Sequence, residues 1–166
     1  HTPGLKVLYP SNPVDAKGML LAAFEDPNPV MFFEHKALYR SLTAEVPEGY
    51  YTTPIGQAAI ARPGSDLTII TYGMGVHWAL NAAKNYSGKV EILDLRCINP
   101  IDEELIFTTV NRYGKCLVLT EEPYNNSFAQ ALSGRIQKNC FQNLDAPIYV
   151  MGSENLPAIP LNSTLE

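Results

Sequence analysis

Short β-rich runs alternate with stretches of helical periodicity along most of this chain, and the alternation predicts its fold. Leu67 to Tyr72 (LTIITY) has the length and residue types of a buried strand. Val76, Ala79, Leu80 and Ala83 then recur at helical spacing, with Gly88 just beyond the predicted helix end. Val90 to Leu95 (VEILDL) is the next strand. Past Asn99-Pro100 a helix carries Leu105, Ile106, Val110 and Tyr113, with Asp102 as its N-cap and Gly114 as its stop. Lys115 to Thr120 (KCLVLT) is a further strand, Phe128, Leu132, Ile136 and Cys140 form the next helical stripe, and Pro147 to Met151 (PIYVM) closes the pattern. Strands separated by single helices pair in parallel, because the crossover returns the chain to the same end of the sheet. The prediction is a three-layer α/β/α sandwich with a mainly parallel sheet. Gln57 to Arg62, ahead of the Pro63-Gly64 turn, adds an edge strand whose direction is not readable.

The first forty residues have a different layout. Lys6 to Tyr9 reads as a strand; Asn12, Pro13 and Asp15 supply an N-cap, a first-turn proline and a first-turn acid. Ala16, Leu20, Ala23 and Phe24 share one helix face, Pro27-Asn28-Pro29 stops the helix, and Val30 to Phe33 is another strand. This single βαβ unit is too small to bury both faces of its strands alone, so it is expected to be the looser part of the chain. From Ser41 to Pro54 no periodicity survives. The reading divides the chain into residues 1–41, the end of one domain; 42–56, a linker; and 57–166, a second domain.

Composition narrows the function classes. Of 166 residues, 46% are hydrophobic and 17% charged, which is enough apolar surface for a core and too little charge for a disordered chain. Twelve Lys+Arg against seventeen Asp+Glu give a net charge of −5, with no basic block to follow a phosphate backbone, so nucleic acid is not expected as a partner. The apolar runs are broken by Pro, Gly or charge, and HTPGLKVLYP lacks a signal-peptide pattern. Neither a membrane nor secretion is expected. Cys97, Cys116 and Cys140 are far apart and odd in number, which fits a reducing, cytoplasmic setting. His1, His35 and His77 show no metal-ligand spacing.

Candidate chemistry is sparse. Gly73-Met74-Gly75 lies where a strand runs into a helix, a place where backbone N–H groups can hold a phosphate. It lacks the third glycine of a dinucleotide fingerprint and the Lys-Ser/Thr of a P-loop, so a tight βα turn is the plainer reading. Glu121 and Glu122 follow a strand's C-terminal end, where they could serve as acid and base or meet a partner's cation, or be solvated charge only. His77, near a helix start, reads as a packing or surface residue, and no Ser/His/Asp signature is present.

The runs PGLKVLYPSNPVDAKGMLLAAFEDPNPVMFFEHKALYRS, EVPEGYYTTPIGQA, TIITYGMGVHWAL, ILDLRCINPIDEE and NLDAPI, in that order, resemble the C-terminal part of the E1 β chain of thiamine-diphosphate-dependent 2-oxo acid dehydrogenases. The resemblance covers nearly the whole chain. It implies that residues 1–41 are the tail of the pyrimidine-binding domain and 57–166 a transketolase-type C-terminal domain. It implies oxidative decarboxylation of a 2-oxo acid on thiamine diphosphate and Mg, with acyl transfer to a lipoyl E2 component. The groups that activate the cofactor are expected upstream of His1 and on an α-type domain, so no catalytic or cofactor-binding residue is assigned here and the segment alone is expected to be inactive. Dimerisation, or a heterotetramer, and E2 docking are the roles it implies for this segment.

The same resemblance implies a structural potassium ion held by backbone carbonyls at Ala23, Asp26 and Asn28, in the AAFEDPN stretch. A helix C-terminus leaves carbonyls unsatisfied and partly negative, which suits a cation. Two departures stand out: Thr120-Glu121-Glu122 where many relatives read His-Glu-Ala, and Tyr124-Asn125-Asn126-Ser127 where they are glycine-rich. Phe32-Phe33-Glu34 with Lys36, Leu38, Tyr39 and Arg40 resembles the branched-chain (2-oxoisovalerate) class, which is the leading expectation. The alternatives are a pyruvate dehydrogenase, an acetoin or deoxyxylulose-phosphate type of transketolase-like enzyme, and a stand-alone α/β interaction module.

Overall fold

The computed structural model describes residues 2–157. In chain order the elements are β1 (Lys6–Leu8), α1 (Pro13–Glu25), β2 (Val30–Phe32), α2 (Leu38–Ser41), β3 (Ala59–Arg62), β4 (Leu67–Thr71), α3 (Met74–Ala83), β5 (Val90–Asp94), β6 (Cys97–Asn99), α4 (Glu103–Tyr113), β7 (Cys116–Pro123), α5 (Phe128–Cys140) with a terminal 3-10 turn (Phe141–Asn143), and β8 (Tyr149–Ser153). A five-stranded sheet has the order β3-β5-β4-β7-β8. Its strands are parallel except β3, which runs antiparallel to β5 and so supplies the direction the sequence withholds.

Side-chain alternation builds the three layers. Ile69 and Ile92 face α3 together with Val76, Ala79 and Ala83, while Ile70 and Leu93, one residue on, face Ile106 and Val110 of α4 and Leu132 and Ile136 of α5. β5 is buried from end to end, as a central strand covered on both faces must be. The caps follow the sequence. Asp102 accepts the Leu105 N–H at 3.0 Å, and Gly114, at φ 66°, sends its N–H to the Val110 carbonyl.

A second sheet has the order β2-β1-β6. β1 and β2 pair in parallel, as expected for the βαβ unit, but β6 had no periodicity to announce it and pairs antiparallel with β1. Leu8, Met19 and Cys97 form the buried centre of this second core. The first forty residues are therefore stitched to the rest by a backbone ladder and a shared apolar cluster.

Three expectations need correction. The outward side of α1 carries Leu20 and Phe24, exposed at 40% and 81%, whereas the buried positions are Asp15, Gly18 and Met19. Ala23 does pack on the second core. The buried face is set by a paired acid and by a glycine that lets Thr53 and Tyr51 approach closely, neither of which registers as an apolar stripe. Gly88 lies in a turn beyond the end of α3, whose cap is Lys84. The last strand starts at Tyr149 and runs on to Ser153. The four-residue helix α2 ends where the irregular stretch begins, as a further element that the pattern does not announce.

Candidate functional site

From β4 the chain passes to β5 on one side and later to β7 on the other, so the strand order reverses between β4 and β7. In open parallel sheets the crevice at the carboxyl ends of such a strand pair is where ligands bind. Tyr72 and Gly73 stand at the end of β4, and Thr120 to Pro123 form the end of β7. In this protein the crevice is filled by its own chain. The Tyr9 ring stacks obliquely on Tyr72 with centroids 5.5 Å apart, Tyr72 meets Phe128 edge-on at 6.0 Å, and Phe33 lies 6.1 Å from Tyr9 on the other side.

The Gly73-Met74-Gly75 turn is packed closely by its own chain. Gly73 adopts φ 53°, and a Cβ there would come within 2.9 Å of the Tyr9 ring. Gly75 lies against the buried Thr71 hydroxyl, leaving no room for a side chain. The glycines serve the close packing of strand, helix and Tyr9.

Glu121 and Glu122 are brought to the crevice but point to different partners. Glu121 Oε1 lies 2.7 Å from His35 Nε2, and its other oxygen accepts from the Tyr9 hydroxyl at 3.5 Å. Burial, with the Glu121 carboxylate beside it, pushes the Tyr9 phenol up to about 12. Glu122 Oε1 accepts the Phe128 N–H at 2.8 Å, in the first turn of α5, and the hydroxyls of Tyr72 and Thr120 at 3.3 Å. Burial is the main cause of the raised Tyr72 phenol as well. A carboxylate at a helix N-terminus satisfies orphan N–H groups and favours the dipole. Neither glutamate is bare solvated charge, and the two do not form an acid–base pair.

His77 Nε2 is 2.6 Å from the Ser11 carbonyl, a packing role. All three cysteines are buried free thiols, and burial pushes Cys116 up to about 12. Sequence reasoning missed His35 as a partner of Glu121 because the two are 86 positions apart. Behind His35 a cavity of about 290 Å³ lies between the Pro10–Pro13 turn, Ala16 and the Leu38–Leu42 stretch. Among the described residues no cluster of three or more His, Cys, Asp and Glu converges on a metal position.

The AAFEDPN stretch meets a different requirement. The Ala23 carbonyl would take its helical bond from residue 27, but Pro27 has no N–H to give. The Asp26 carboxylate is committed to Lys6 and to the backbone and side-chain amides of Asn28, both at 2.9 Å. What is left for a cation is a set of neutral carbonyl oxygens, which suits a monovalent ion in kind. Lys6, first, and Asn28 hold the Asp26 carboxyl down at about 2.

Comparison with known proteins places this geometry. The transketolase C-terminal domain family model matches residues 56–166, and the transketolase pyrimidine binding domain model matches residues 1–41. The 2-oxoisovalerate dehydrogenase subunit beta of Bacillus subtilis is 42% identical over 169 residues, covering 100% of this chain and 52% of the relative. The subunit beta of acetoin:2,6-dichlorophenolindophenol oxidoreductase from the same organism is 42% identical over 167 residues, 99% of this chain and 48% of its own length. A mitochondrial 2-oxoisovalerate dehydrogenase subunit beta from Dictyostelium discoideum is 43% identical over 152 residues, 89% of this chain and 41% of its own length. The chain thus spans about half the length of the curated relatives it matches. A solved structure described as a split gene transketolase, inactive beta4 tetramer, superimposes with a TM-score of 0.70 at 21% identity, over 93% of this chain and 50% of that one, a likeness of fold. The chain carrying this plugged α/β sandwich belongs to the transketolase C-terminal domain family.

Proposed function

We propose that this chain is part of the β subunit of the E1 component of a 2-oxo acid dehydrogenase acting on branched-chain substrates such as 2-oxoisovalerate. The observation that carries the reading is the 42% identity to a 2-oxoisovalerate dehydrogenase subunit beta over 100% of this chain. Residues 1–41 then close the pyrimidine-binding domain, 42–56 link, and 57–166 form the C-terminal domain. The contribution of this segment is architectural: the Tyr9–Tyr72–Phe128 stack, the β1–β6 ladder and the His35–Glu121 contact fix one domain on the other.

Thiamine diphosphate with Mg would supply the carbanion chemistry of the intact enzyme. The groups that hold and activate it are expected on other segments of the enzyme, so no step is routed through this segment. The Ala23, Asp26 and Asn28 carbonyls are proposed as part of a potassium site. An α-type partner, a dimer or heterotetramer, docking to a lipoyl E2 and a cytoplasmic location complete the reading, supported by relatives named as β subunits and by a bacterial relative at full coverage of this chain. Among the described residues no helix is long and apolar enough to cross a membrane.

An acetoin-type enzyme is the second reading, since that β subunit is also 42% identical over nearly the whole chain. Side-by-side assay of the intact enzyme on 2-oxoisovalerate, pyruvate and acetoin separates the readings; preference for either of the last two overturns the first.

A further inference from the structure

Among the described residues, the joint between the first forty residues and the five-stranded sheet buries one more carboxylate than it has cations. Asp94, at the end of β5, is 2% exposed, and Asp15, in the first turn of α1, is 6% exposed. Arg96 is spent on Asp15, with Nη2 2.8 Å from Oδ1 and Nε 2.9 Å from Oδ2. Asp15 Oδ2 also accepts from Asn12 Nδ2 at 2.7 Å. Asp94 is held by neutral donors, the Ser11 hydroxyl and the Arg96 N–H at 3.0 Å.

The other ionisable groups around the cluster do not neutralise Asp94. Cys97 on β6 is a thiol that burial pushes up, with Asp102 at the start of α4 adding to the rise. His77 on α3 directs its Nε2 to the Ser11 carbonyl.

We propose that Asp94 is a proton-operated clasp between the two parts of the chain, so that proton uptake tightens the joint and proton loss loosens it. The contacts on Asp94 come from both sides of the joint: Ser11 belongs to the β1–α1 connection, and Arg96, which answers Asp94 by its backbone and Asp15 by its side chain, is bound through its carbonyl to the Tyr9 N–H at 2.8 Å. Opening the joint hydrates Asp94 and returns it to ordinary carboxylate behaviour. The closed joint therefore binds the proton more tightly than the open one, and by linkage a falling pH favours closure.

The supporting shift has the required sign. Burial pushes Asp94 up to about 6 and Asp15 adds to the rise, while the Ser11 and Arg96 N–H bonds and the Arg96 charge only partly oppose it. The gain is present in full below the unshifted value of 3.8 and is lost as pH rises through about 6.

Hydrogen exchange of the full 166-residue chain tests the proposal. The readout is the protection of the Tyr9 amide, after correction for intrinsic rates, at pH 5.5 and pH 8. Protection of Tyr9 should be about fourfold greater at pH 5.5, and Asp94→Asn should abolish the difference. Equal protection at the two pH values, or an undiminished ratio in Asp94→Asn, overturns the clasp. Should Asp94→Asn fail to fold, Ser11→Ala serves instead. Loss of a donor to the ionised carboxylate must enlarge the ratio, and an unchanged or smaller ratio is contrary to the proposal.

Discussion

His35 Nε2 lies 2.7 Å from Glu121 Oε1, joining the segment after β2 to the end of β7 across the crevice where the strand order reverses. The pair is half open to solvent, at 19% and 39% side-chain exposure, so water screens it. A double-mutant cycle of His35→Ala and Glu121→Ala, read by urea unfolding at pH 7, should give a coupling of about 0.3–1 kcal/mol. A coupling of zero, or one that is unfavourable, contradicts this account.

Glu122 should matter more than its neighbour for stability. Its Oε1 caps the first turn of α5 through the Phe128 N–H and receives the Tyr72 and Thr120 hydroxyls. Glu122→Ala leaves these donors unpaired and should cost about 1–3 kcal/mol by urea unfolding, with Glu122→Gln retaining more than half of the lost stability. Equal losses in the two variants would show that the negative charge, rather than the acceptor oxygen, is what the helix end needs.

Two glycine substitutions should have opposite signs. Gly75→Ala drives a methyl into the Thr71 hydroxyl, in a turn also packed by Leu119, and should destabilise by about 1–3 kcal/mol. Gly134, inside α5, has nothing within 4 Å of where a Cβ would stand. Gly134→Ala should stabilise by about 0.5–1 kcal/mol through helix propensity and the unfolded chain. Thermal unfolding of the two variants beside the parent checks both.

The central sandwich was legible because each of its signals is local. Alternating residues in LTIITY and VEILDL, the Asp102 cap and the Gly114 stop all act within a few positions of themselves. The joint was not legible, because its parts are short and distant. β6 is Cys97–Asn99, too brief for a period, and its partner β1 begins at Lys6. The buried face of α1 misled for a related reason: Asp15 is buried because Arg96 pairs with it, and Gly18 because Tyr51 needs the space. Glu121 and Glu122 were located correctly at a strand end, yet their roles depend on His35 and Phe128, which no spacing rule connects to them.

The Lys6–Asp26 pair at the end of α1 gives a pH prediction of definite sign. Lys6 and Asn28 hold the Asp26 carboxyl at about 2, below its ordinary 3.8. The stabilisation is therefore present above 3.8 and is lost as pH falls through about 2. Carboxyl carbon titration by NMR should place the Asp26 midpoint near 2 in the parent. Lys6→Met should raise that midpoint, and an unmoved midpoint would remove Lys6 as the main cause.

The proposed substrate class follows from the 42% identity to a 2-oxoisovalerate dehydrogenase subunit beta. An apolar pocket separates an isobutyryl from an acetyl group by only about 1–3 kcal/mol per methylene. The direct measurement is kcat/KM of the intact protein, assembled with the proposed α-type partner, on 2-oxoisovalerate, pyruvate and acetoin under one set of conditions. The account predicts a preference of about tenfold or more for 2-oxoisovalerate, equal to about 1.4 kcal/mol in transition-state binding. A preference of the same size for pyruvate or acetoin would contradict it.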